Sequence, residues 1–130
     1  MTKTFFLATL LILTLTTGGC GERDCEYKIY CGASIPGGGA VSDADWRDFC
    51  ARTVAAEFPA GFTVVDAVGH FGSGDPPVTQ REAARVIIVV APAAPETRAK
   101  VRAIAAAYKR HFRQGSVLVT RAPLAAVAFE

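Results

Sequence analysis

"YKIYCGASIPGGGAVSDADWRDFCARTVAAEF", Tyr27–Phe58, carries three rhythms in one run and decides the fold. Tyr27 to Cys31 has the aromatic and β-branched content of a strand. Tyr27, Ile29 and Cys31 fall on one face of it. A glycine-rich loop follows. From Ser42 the rhythm becomes helical. Trp46, Phe49, Cys50, Thr53, Val54 and Phe58 recur mainly at three- and four-residue spacing and make one apolar face. Ser42 suits an N-cap, with Asp45 three residues on as in a capping box. Asp43, Asp45 and Asp48 complement the positive end of the helix dipole. Pro59 and Gly61 end the helix.

The loop has the outline of a phosphate-binding loop but lacks its chemistry. A P-loop places Lys and Ser/Thr directly after its glycines, to reach the β/γ-phosphates and magnesium. Here Ala40 and Val41 follow Gly39. The G-x-G-x-x-G spacing of a dinucleotide site is also missing. The glycines therefore read as a corner that needs positive φ. The competing reading is a small-ligand loop of Ser34, Gly37, Gly38 and Gly39, with the helix N-terminus as an anion perch.

Downstream, "FTVVDAVGHF", Phe62 to Phe71, predicts a second strand. "GSGDPPVTQREA" reads as a turn-rich connection. "RVIIVVA", Arg85 to Ala91, is a nearly unbroken β-branched run and predicts a central, buried strand. Pro95 fits an early position of a second helix, whose stripe is Val101, Ile104, Ala105, Tyr108 and Phe112. Gly115 fits its stop. "SVLVT" predicts a last strand, Pro123 interrupts it, and "LAAVAF" resumes it. Such a proline suits an edge. The order β-α-β-β-α-β predicts a ferredoxin-like α+β fold, with a four-stranded antiparallel sheet and two helices on one face. The other face then needs a cover or must be polar. Val65, Val89 and Val119 are expected on it, with room for a ligand or a homodimer.

Upstream, Lys3 is followed by the apolar run Phe5 to Thr16 and by small residues up to Cys20. That is the pattern of an export signal. The run is shorter than the roughly 20 apolar residues of a spanning helix. Residues 1–19 are expected to be a signal peptide, 20–26 a tether and 27–130 the single domain. "TGGC" resembles a lipoprotein lipobox, with Thr17 where leucine is usual. Lipidation of Cys20, with palmitate among the acyl groups, would anchor the chain in the membrane; ordinary cleavage would leave the thiol free. Acyl chains stabilise attachment by about 0.8 kcal/mol per buried methylene. After Cys20 the chain has 13 basic and 12 acidic residues. That near-neutral balance gives no basic field for nucleic acid.

"CGASIPGGGAVSDADWRDF", "FPAGFTVVDAVGHF" and "AAYKRHFRQGSVLVT" together resemble a family of short exported bacterial proteins catalogued as a domain of unknown function, many of them lipoproteins. The similarity runs over residues 29–129. The family has no agreed activity, so it implies no catalytic residue and no cofactor. This chain departs from it in having Cys31 at a position usually aromatic or aliphatic, and in lacking a cysteine near its last strand.

Other candidates follow from position. Cys31 and Cys50 lie on faces that should meet, and a disulfide within about 7 Å between Cα atoms would stabilise by about 2–4 kcal/mol. Two buried thiols are the alternative. No cysteine or histidine spacing suggests a metal. His70 and Asp66 share one face of a strand. With Tyr30 they would line a pocket if the protein were a small enzyme of the dimeric α+β-barrel kind. His111, Lys109, Arg110 and Arg113 near a helix C-terminus are explained by the helix dipole alone. Arg98, Arg102, Lys109 and Arg113 form a basic stripe, either solvated or facing anionic headgroups. The expectation is an exported, lipid-anchored envelope protein acting as a binding or interaction module toward an unidentified envelope partner.

Overall fold

A computed structural model describes residues 23–130; the expected signal segment 1–19 and Cys20 lie outside the described residues. Strands β1 (Asp24–Gly32), β2 (Thr63–Ser73), β3 (Val78–Pro92) and β4 (Leu118–Pro123) form one antiparallel sheet in the order β2-β3-β1-β4. Helix α1 begins as Asp43–Phe49, passes through a π-helical stretch Cys50–Val54 and ends with Ala55–Glu57; α2 is Pro95–His111. This is the ferredoxin-like α+β arrangement, with β4 at an edge where Pro123 is tolerated.

The core lies between the helices and one face of the sheet. Cys25, Tyr27, Ile29 and Cys31 alternate inward along β1, and Ile87 and Val89 meet them from β3. The helices contribute Trp46, Phe49, Val54 and Phe58, and Val101, Ile104, Tyr108 and Phe112. Phe49 and Val54 are five residues apart, too far round an α-helix to share a face. The wider π turn between them brings both to the core. The ring of Tyr108 packs edge-on against Trp46 at 6.0 Å and Phe49 at 5.3 Å between centroids. Ser42 caps α1 as expected, its Oγ accepting from the Asp45 amide at 3.1 Å.

Several boundaries differ from the sequence expectation. The segment read as a tether enters the sheet at Asp24, because Asp24 and Glu26 point away from the helices while Cys25 enters the core. The turn-rich connection is mostly strand, since β3 begins at Val78 and pairs with β2 as far as Ser73. The segment Leu124–Phe129 is not a strand. Helix α2 ends at His111 with Phe112 as its C-cap, and Arg113 rather than Gly115 is in the left-handed region (φ 54°). Val89 and Val119 face the helices, opposite Tyr27 and Ile29; only Val65 of the three lies on the other face, opposite Val86.

Candidate functional site

The face of the sheet without helices mixes apolar and charged residues. Val65 and Phe71 of β2, Val90 of β3 and Leu118 of β4 are all more than one-third exposed on it. Near the centre, Lys28 Nζ and Glu26 Oε1 pair at 2.7 Å. At the end where β1 leaves the sheet, this face deepens into an open groove of about 740 Å³. Its floor is Tyr30, Ala67, Ala84 and Leu118, and its rims are the loops at Ser34–Pro36 and Gln114–Ser116.

The glycine-rich loop builds one rim. Gly37, Gly38 and Gly39 have φ of 93°, 113° and 89°. Three successive left-handed residues fold the loop back on itself, so that the Ile35 amide donates to the Gly39 carbonyl at 3.0 Å and the Val41 amide to the Ala33 carbonyl at 2.8 Å. The loop is then tied to the domain by long-range bonds. The Ser34 amide donates to Glu82 Oε1 at 2.9 Å, and the Gln114 side-chain amide donates to the Ser34 carbonyl at 2.8 Å. The Tyr108 hydroxyl, reaching from the core, donates to the Gly32 carbonyl at 2.7 Å. Gly32 itself lets the Glu82 carboxylate in: a Cβ there would lie 2.7 Å from Oε1.

The donors near the groove are already engaged. The amide of Ser34, the natural anion donor of the loop, is already bound to a carboxylate. The first turn of α1 is occupied by its own Ser42 cap and by Asp43 and Asp45. The Ser34 amide, expected to serve an anion, donates instead to Glu82, and the helix N-terminus carries its own Ser42 cap.

Asp66 and His70 share a face of β2, as their spacing requires, but it is the face opposite to the groove, and neither lines it. Asp66 Oδ1 lies 3.6 Å from Arg85 Nε, and His70 stands opposite Arg81. The alternation that sends them there turns Ala67, Gly69 and Phe71 to the groove. Tyr30 alone of the expected pocket residues is on its wall. Cys31 and Cys50 stand as free thiols, so the expected bridge is not formed. They are neighbours all the same. Burial, and then the nearby Cys50, push the Cys31 thiol up to about 12, and burial raises Cys50 with Arg85 opposing. Arg85 also pairs with Asp43 and lies 5.2 Å from the Trp46 ring centroid. His111 is exposed at the end of α2, beside Phe112.

The sequence reading missed Glu82 and Gln114. Glu82 had a signal: Gln80, Glu82, Ala84 and Val86 continue the two-residue alternation of β3 upstream of "RVIIVVA". Gln114 had none, because it meets Ser34 across 80 residues of chain.

Among solved structures, the chain is similar to a phage SAM lyase in complex with S-methyl-5'-thioadenosine. The TM-score is 0.61 at 17% identity, covering 79% of this chain and 83% of that one. The apo state of a phage SAM lyase gives a TM-score of 0.58 at 20% identity, over 80% and 83%. Likeness at this identity is likeness of fold. No curated protein matches. Residues 26–129 match a family described as "Protein of unknown function (DUF3574)", which takes in nearly the whole described domain, and the chain belongs to that family.

Proposed function

We propose that this protein is an exported, lipid-anchored binding domain of the cell envelope. Its ligand site is the groove on the open face of the sheet. The observation that carries the reading is the groove itself: about 740 Å³, apolar for most of its wall, with the half-buried Glu82 carboxylate at one end. Small-molecule sites combine this size with a few placed polar groups. The ligand class that fits is a compact molecule with an apolar body and a cationic or hydrogen-bond-donating group for Glu82, with Tyr30 and Phe71 as ring surfaces. Thermal-shift screening with small amines and nucleoside thioethers should find stabilisers whose effect is lost in Glu82→Gln and in Leu118→Asp. Stabilisation that survives both substitutions would remove the groove from the account. If Leu118→Asp instead dissolves a dimer seen by light scattering, a second copy of the chain occupies the face. The lipid anchor rests on the apolar run and "TGGC" ending at Cys20. Palmitate labelling that is abolished by globomycin and by Cys20→Ser supports it, and labelling indifferent to both ends it.

An enzymatic reading is favoured by one observation: the fold is shared with a SAM lyase whose complex holds S-methyl-5'-thioadenosine. Incubation with SAM tests it. Formation of S-methyl-5'-thioadenosine that depends on Glu82 or Tyr30 would establish it, and none formed by active, folded protein would leave the binding module.

A further inference from the structure

A second cavity lies on the other side of β4, in the seam between that edge strand and α2. It has a volume of about 270 Å³. Arg98 and Arg102, one turn apart on α2, line it together with Arg121 of β4. Val101 and Val119 supply the apolar part of the wall; Thr120, whose side chain turns to the other face beside Lys28, contributes backbone only. No acidic residue lines it. Arg98 is steadied by a bond from Nη1 to the Ala93 carbonyl at 3.1 Å. Among the described residues neither Arg102 nor Arg121 has an ion-pair partner, whereas Arg52 and Arg85 both do.

Tyr27 completes the wall and adds an independent observation. Its side chain is 2% exposed, and its hydroxyl is buried with no hydrogen-bond partner. A buried hydroxyl left without an acceptor is destabilising, and native structures rarely keep one without a reason. Three cations gathered without a counter-charge are unfavourable as well. One addition answers both: an oxyanion seated between the guanidinium groups, accepting from the arginine forks and Tyr27. Guanidinium groups match phosphate oxygens in geometry as well as charge. We propose that this seam is a phosphate-binding site.

Its place in the fold suggests the source of the phosphate. Tyr27 is seven residues from Cys20, a reach of about 25 Å at most in extended chain. With the anchor at Cys20, the seam sits within range of the headgroups of the bilayer that holds it, where clustered arginines bind anionic lipid. The lipid source rests on the anchored reading of the protein. The phosphate chemistry of the seam does not.

The test uses the full chain reconstituted in vesicles of phosphatidylcholine alone, with inorganic phosphate as the probe. Phosphate should raise the melting temperature of the wild type. It should bind Arg102→Gln/Arg121→Gln at least tenfold more weakly, since each hydrogen bond to a charged group is worth about that much. Tyr27→Phe distinguishes a site from a merely basic surface. Without phosphate it should melt no lower than the wild type, because the orphan hydroxyl is gone, yet it should bind phosphate about fivefold more weakly. Replacing part of the lipid with phosphatidylglycerol separates the sources. Stabilisation without added phosphate, lost in the double variant, assigns a lipid headgroup; a response to free phosphate alone assigns a soluble phosphate ester. Equal phosphate affinity in wild type, Tyr27→Phe and the double variant overturns the proposal, as does the absence of any response in the wild type. Lipid labelling at Cys20 that fails while phosphate still binds removes the anchor and leaves the site.

Discussion

The two faces of this sheet are made by the same strands and behave as different materials. On the helix side, Ile29 and Ile87 stand opposite each other and are fully buried, under Val101, Ile104 and Tyr108. On the open side, Tyr30 stands opposite Val86 and Leu118, and the strand edges leave Phe71 and Leu118 about half exposed. The open face mixes apolar residues at Val65, Phe71 and Leu118 with the charges of Glu26, Lys28 and Glu82, and only the helix face has a cover. Apolar surface with a cover contributes stability; apolar surface without one is available for something else. The comparison separates the residues that hold the domain together from those free to serve binding.

The largest test of that separation is Ile87→Ala. It opens a cavity under both helices and should cost about 2–5 kcal/mol in urea unfolding. A cost under 1 kcal/mol would mean that the helix face is loosely packed and the contrast false. Tyr108→Phe comes next, at about 1–3 kcal/mol, because it strands the Gly32 carbonyl at the point where the core touches the groove. It should also weaken any groove ligand, which a purely stabilising bond would not. The third test is alkaline pH. The Cys31 thiol is raised from 9.0 to about 12 by burial, first of all, and by Cys50. The folded state therefore resists losing that proton. Its stability contribution is complete below pH 9, where the unfolded thiol is also protonated, and is lost as pH climbs from 9 toward 12. Tyr108, also raised by burial, adds to the same limb. Unfolding free energy measured from pH 8 upward should fall, and less steeply in Cys31→Ala; parallel slopes in the two proteins would remove the thiol from the explanation. The smallest effect belongs to the open face. Val65→Thr should change stability by no more than about 0.5 kcal/mol. A large loss there in dilute protein would show that the face is covered in solution after all.

Much of the fold was legible because it is written in short periods. The inward set Tyr27, Ile29 and Cys31, the stripe Val101, Ile104 and Tyr108, and the Ser42 cap all follow from neighbours within a turn or two of chain. The errors have a shared cause. Val89 and Val119 take the helix face and not the expected open one, because alternation fixes the relation of residues within a strand and not the side that each set takes. That choice is made by pairing with Tyr27 and Ile29, some 60 and 90 residues away in the chain. Asp66 and His70 share a face, as alternation requires, and for the same reason that face is the one away from the groove. The π stretch at Cys50–Val54 was invisible to an α-helical period, although the five-residue step from Phe49 to Val54 marks it in hindsight.

By itself, the sequence determined the elements, their order, the glycine corner and the apolar faces, because backbone propensity and side-chain period are local. The tertiary structure alone decided where chemistry gathers. Glu82 reaches the Ser34 amide across 48 residues, Gln114 reaches the Ser34 carbonyl across 80, and Arg121 joins Arg98 and Arg102 only because β4 returns to the edge beside α2. A groove and a seam are gaps between elements, and their contents follow from sheet order and register, which no single segment contains.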